Sequence, residues 1–148
     1  MERCKAQSWR LAELYLALSN LHRVEAISEL LTEDEKVYGA EGRVDALGKM
    51  KAFHATYSDA FWTCSAMRHV GEEGLFVEFD FRRYFTGQDG RVMTADATDI
   101  IGVCPTTGKI KSIGYSRQPS AAEPALEGFP EGRDGLLEEA KRVVDECC

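Results

Sequence analysis

The sequence predicts an α+β chain: helices first, then a run of antiparallel strands, then one more helix. Three observations carry this. Apolar residues recur at helical spacing as far as Tyr57, the pattern turns to alternation beyond Ser58, and "GEEG" (71–74), "GQDG" (87–90) and "PTTGK" (105–109) divide the alternating part into four strands.

Each element follows from its own pattern. From Ser8 to Leu21, residues Trp9, Leu11, Leu14, Tyr15, Leu18 and Leu21 form one apolar stripe, and Ser8 is placed to cap the first turn. Arg23 to Leu31 reads as a second, short helix, with Thr32-Glu-Asp-Glu as the break after it and "KVYG" as a brief extended piece. Gly39 and Gly42 bracket a turn, and Leu47, Met50, Phe53, His54 and Tyr57 mark a third helix from about Val44 to Tyr57. Consecutive hairpins then make a meander. The segment 118–135 holds three of the four prolines, so an irregular linker is expected there, followed by a last helix over 136–148 that docks on the body. The domain expectation is therefore 1–117, a linker over 118–135, and the C-terminal helix.

Bulk properties narrow the function. Twenty-five acidic residues against 18 basic ones give a formal charge of -7, which repels phosphate backbones, so no nucleic acid is expected. No apolar run approaches the roughly 20 residues that cross a bilayer, so no membrane partner is expected and the location is read as cytoplasmic. The five cysteines contain no C-x-x-C, and free thiols are expected, with Cys64 and Cys104 as small buried residues and Cys147-Cys148 as a frayed end. His22 reads as an exposed turn, His69 as a solvent-facing strand end and His54 as a core or pocket residue; no spacing gathers them, so no metal site is expected.

The strands carry one anomaly. In Leu75–Thr86 the odd positions Leu75, Val77, Phe79 and Phe81 are apolar, while Glu78, Asp80, Arg82 and Tyr84 face the other way. Asp80 and Arg82 read as outer-face ion-pairing residues. In "MTADATDIIGV" the odd row is Met93, Ala95, Ala97, Asp99, Ile101 and Val103, an apolar row holding one carboxyl group. Asp99 is either a pocket acid or a residue that accepts backbone amides at a bulge. A carboxyl group in such a row is disfavoured when ionised, so its pKa rises, and in its neutral form it donates a hydrogen bond.

"LYLALSNLHRVEAISELLTEDEKVYG" (14–39) and "ATDIIGVCPTTGKIKSI" (97–113) resemble the opening helix pair with first strand, and the closing hairpin, of the NTF2-like superfamily, which includes SnoaL-like cyclases and ketosteroid isomerase. The resemblance covers Leu11 to about Arg117. It implies a cone, with the N-terminal helices packed on a curved antiparallel sheet and an apolar ligand received at the mouth. It also implies that Trp62, Phe79, Phe81, Met93, Ala95, Ala97 and Ile101 line that cone. Comparison with ketosteroid isomerase puts Tyr15 and Asp99 at the positions of its two oxyanion donors. The position of its proton-abstracting aspartate falls on Gly39, which has no side chain to act as a base. Glu41, two residues on, and His54, on the third helix, are the candidate substitutes.

The function expected is a SnoaL-like pocket protein for a small, mostly apolar molecule bearing a carbonyl or hydroxyl oxygen, with acid-base chemistry of isomerase, cyclase or dehydratase type and no cofactor. Tyr15 is either a donor to that oxygen or a core residue with its hydroxyl tied to a neighbour. The alternative is a non-catalytic homodimerisation or scaffolding module, paired through the polar sheet face formed by Glu78, Asp80, Arg82, Tyr84, Thr94, Asp96 and Thr98. A homodimer fits either reading. A cone plugged by Trp62, Phe79 and Phe81 would favour the scaffold, and an open cavity reaching Asp99 would favour the ligand.

Overall fold

The structure, a computed structural model, describes residues 2–147. The first helix, α1, spans Glu2–Asn20, beginning six residues before the expected cap. Ser8 is no cap. It is fully buried within the helix, and its hydroxyl donates to the carbonyls of Lys5 (3.2 Å) and Gly74 (2.7 Å), tying α1 to a distant turn. Gly74 permits this approach: its φ is +73°, and a Cβ there would stand 2.5 Å from Lys5 Cγ. Ser8→Ala is expected to cost about 1–3 kcal/mol, because the Gly74 carbonyl loses a buried donor. A urea titration checks it: the midpoint falls while the slope stays unchanged.

Helix α2 spans Val24–Glu29, and β1 follows at once over Leu31–Val37, so the acidic stretch expected to be a break lies inside a strand. The reason is long-range pairing. Leu31, Glu35 and Val37 turn inward while Glu33, Asp34 and Lys36 stay exposed, and β1 runs parallel to β6 (Ile110–Arg117), some 80 residues away. A two-residue hairpin, Tyr38-Gly39, then returns the chain as β2 (Ala40–Glu41), with Val37 opposite Ala40. Both hairpin residues have positive φ, +46° and +84°, as a type I′ turn requires. For a tyrosine this is a strained backbone.

Helix α3 (Arg43–Thr56) buries only Ala46 completely, so its underside is not sealed against the sheet. The meander follows as β3 (Phe61–Val70), β4 (Phe76–Thr86), β5 (Val92–Val103) and β6, with the three turn signals in the gaps. The sheet order is β2-β1-β6-β5-β4-β3. Its inner face packs Val77, Phe79, Phe81, Ala97 and Ile101 against Leu14, Tyr15 and Leu18 of α1. The outer face holds ion pairs: Arg68 with Glu78 and Asp80, and Arg82 with Asp96.

Three expectations are corrected. Cys64 is exposed, because a register shift between Cys64 and Ala66 turns it outward, and Cys104 is half-buried. The 118–135 segment is not wholly irregular: Glu123–Pro124 forms a short β7 on Met93–Thr94 of β5, where β6 has ended. Its last residues already belong to α4 (Arg133–Cys147), whose Ala140 and Val144 join the core. Of the expected Cys147-Cys148 pair, Cys148 lies outside the described residues and Cys147 ends α4. Among the described residues no helix is long and apolar enough to cross a membrane.

Candidate functional site

A cavity of about 220 Å³ lies between the sheet's inner face and helices α1 and α3. Leu16, Ile27, Met50, Phe53, Phe79 and Phe81 make its wall largely apolar. A void of about 150 Å³ holds benzene, so this one suits a molecule of one or two rings. Lys49 also lines it, and 62% of that side chain is exposed, which marks where the cavity meets solvent.

Asp99 stands in the inner wall, 2% exposed, opposite Phe79 on one neighbouring strand and Tyr115 on the other. A β-bulge does sit beside it, between Thr98 and Asp99 in the pairing with β6, but the carboxyl group turns to the cavity and binds a phenol. The Tyr38 hydroxyl donates to Oδ2, and Oδ1 is buried without a hydrogen-bond partner. Burial raises the Asp99 pKa from 3.8 to about 7, against the smaller lowering effects of the Tyr38 bond and the Arg83 charge. Much of the population is therefore a neutral acid at pH 7.

Proton counting orders the network. Tyr38 has one hydroxyl hydrogen, given to Asp99, so the Tyr15 hydroxyl at 3.2 Å donates to Tyr38. The chain of donors runs Tyr15 to Tyr38 to Asp99, and the one carboxyl oxygen left without a partner is Oδ1. Burial, the largest cause for each, holds both phenols above the usual tyrosine pKa. Tyr38 was not singled out from sequence, because a tyrosine is unusual at a hairpin position of positive φ and only Gly39 marks the turn.

The histidines form a second polar unit. His22 Nε2 lies 2.7 Å from the Ala60 carbonyl, which only accepts, so that nitrogen carries the hydrogen. In the neutral ring Nδ1 is then the acceptor, and His54 Nδ1, 2.7 Å away, donates to it. His54 Nε2 is left with a free lone pair. Burial, and then the neighbouring His22, lower the His54 pKa to about 4, so the ring is neutral at pH 7. His22 is thus half-buried and engaged, not an exposed turn residue, and His69 is half-buried against Trp9.

The cavity brings together six residues expected from sequence: Tyr15, His54, Trp62, Phe79, Phe81 and Asp99. It leaves out five. Glu41 is exposed on β2, its amide donating to Asp45. Met93, Ala95, Ala97 and Ile101 share the inner face with Asp99 but do not line the void. Position along the strand does not separate Ala95 and Ala97 from it, since they lie opposite Arg83 and Phe81 of the lining; their side chains end at Cβ and the larger neighbours form the wall. Arg83 and Tyr115 line it and were not anticipated, though Arg83 continues the odd row of Phe79 and Phe81. Among the described residues no three His, Cys, Asp or Glu side chains cluster as metal ligands do.

No protein-family profile matches the chain, and no curated protein matches it in sequence. Solved structures do match. An NTF2-like protein of unknown function from Exiguobacterium sp. 255-15 superposes with a TM-score of 0.63 at 18% identity, over 75% of this chain and 98% of that one. A Mycobacterium tuberculosis protein in complex with estradiol-17beta-hemisuccinate gives 0.66 at 10% identity, over 76% and 94%. The Delta 5-3-ketosteroid isomerase from Mycobacterium sp. gives 0.62 at 15% identity, over 76% and 93%. Such identities speak for architecture alone. By that measure, helices on a curved sheet with a cavity between them are the NTF2-like fold in this chain.

Proposed function

We propose that this chain binds a small, mostly apolar molecule bearing a carbonyl or hydroxyl oxygen, and that the cavity is suited to proton transfer next to that oxygen without a cofactor. One observation carries the reading: Asp99 lines an apolar cavity with a buried carboxyl group whose Oδ1 has no hydrogen-bond partner. In its neutral form that carboxyl group donates to the guest's oxygen and stabilises negative charge developing there. His54 supplies the complementary group, since its ring is neutral at pH 7 and the residue lines the same cavity. Two titratable groups whose surroundings push their pKa values in opposite directions are what acid-base chemistry requires. The neighbouring structures, one an isomerase and one bound to a steroid ester, support a pocket use of this fold. Trp62, Phe79 and Phe81 border the void without filling it, which supports the ligand over the pure scaffold.

Two measurements test this. 2-Naphthol is expected to quench tryptophan fluorescence saturably, because Trp62 borders the cavity. 2-Indanone in heavy water is expected to exchange its α-hydrogens faster with the protein than in buffer, and His54→Ala is expected to remove roughly 10²-fold or more of that acceleration. No saturable quenching by 2-naphthol would refute the pocket. Exchange at the buffer rate would refute the chemistry and leave the binding.

A further inference from the structure

The inner wall carries a cation, Arg83, that no carboxylate among the described residues meets within ion-pair distance; its charge acts on Asp99 only at longer range. Arg82 and Arg83 are adjacent on β4 and so point to opposite faces. Arg82, outside, pairs with Asp96 at 2.7 Å. Arg83, inside, lines the cavity, and among the described residues no carboxylate forms a salt bridge with it. Its Nε is buried without a hydrogen-bond partner. The guanidinium is steadied by rings, 5.2 Å from the Phe53 centroid and 5.9 Å from that of Phe85. A half-buried, oriented and unpaired guanidinium is unfavourable in isolation, and its planar fork matches a carboxylate.

Asp99 does not fill this role. Its carboxyl group already takes the Tyr38 hydroxyl, and no hydrogen bond joins it to Arg83. Asp99 pairs in register with Phe79, and Arg83 lies four residues farther along that strand, about 13 Å at the backbone. Lys49 adds a second cation at the mouth, its own partner being Asp45 at 3.8 Å, one helical turn away.

Resting on the pocket reading above, we propose that the guest is an organic monocarboxylate of one or two rings, its carboxylate on Arg83 and its hydroxyl or carbonyl oxygen at Asp99. The apolar wall takes the ring body, and the length of β4 between Phe79 and Arg83 sets the spacing of the two oxygen groups. In a chain of net charge -7, an inward cation selects an acid that the rest of the surface repels.

The test compares 6-hydroxy-2-naphthoate with its methyl ester and with 2-naphthol by calorimetric titration of the purified chain. The acid is expected to bind wild type roughly ten- to a hundredfold more tightly than the ester, as a charge-assisted hydrogen bond implies. Arg83→Met, which keeps the stem against the rings, is expected to bring the acid-to-ester ratio close to one. Arg83→Lys keeps the charge without the fork and should give an intermediate ratio, which carries the test if the methionine variant does not fold. Equal binding of acid and ester by wild type, with 2-naphthol still bound, overturns this inference alone, as does a full preference surviving in the folded variants. Failure of all three compounds to bind overturns the pocket reading and this inference together.

Discussion

Asp99→Asn is expected to change the pH dependence of stability more than any other single substitution. An acid whose folded pKa is raised adds stability that is complete below its unfolded pKa, near 3.8, and is lost as pH climbs through about 7. Asparagine has no such titration. The stability difference between wild type and Asp99→Asn should therefore shift in favour of the variant between pH 4 and pH 8, by up to about 4 kcal/mol for a pKa change of this size. Denaturant titrations at several pH values, each compared with the variant at the same pH, isolate this group from the other carboxylates. Binding should follow the same proton. Affinity for 2-naphthol is expected to fall as pH rises through about 7 in wild type, while Asp99→Asn binds more weakly at pH 5 and shows a flat profile, because an amide is the poorer donor. A pH-independent difference in both measurements would mean that the carboxyl group is not held in an apolar hollow.

Phe79→Ala has the largest expected cost in stability at fixed pH. Phe79 is 1% exposed, and its ring centroid lies 6.5 Å from that of Tyr15 and 5.9 Å from that of Phe81. Truncation should destabilise the chain by about 3–5 kcal/mol, through lost burial and an enlarged void. The same change removes the apolar cover opposite Asp99, so the carboxyl group should ionise at lower pH than in wild type. It also makes room: a three-ring phenol such as phenanthren-2-ol should raise the melting temperature of Phe79→Ala more than that of wild type, since binding only the native state stabilises it. A variant that melts like wild type and gains nothing from the larger phenol would show that Phe79 does not bound the cavity.

The readable parts of this molecule were those governed by local chemistry. Glycine-bearing turns at 71–74, 87–90 and 105–109 place the strand ends, and alternation alone puts Phe79, Phe81 and Asp99 on one face. What escaped depended on contacts distant in sequence. Thr32-Glu-Asp-Glu resembles a loop until Ile110–Ile113 supplies a strand to pair with. Ser8 resembles a cap until Gly74 arrives beside it. His22 and His54 are 32 positions apart, and no spacing rule foretells that they meet. In the cavity, face was predictable and lining was not: Ala95 and Ala97 have the right orientation and lie opposite Arg83 and Phe81, yet only the larger side chains form the wall. Arg83 lies on the same alternating row as Phe79 and Phe81, but a charged side chain does not read as lining.

The tip joining the first two strands puts two demands on one amino acid. Tyr38 adopts a left-handed backbone that glycine or asparagine would accept more comfortably, yet only its phenol reaches the buried acid. Variation that relaxes the main chain there would sever the proton wire, and variation that keeps the wire must tolerate the torsion. Thermal robustness and chemical competence thus pull against each other at a single codon.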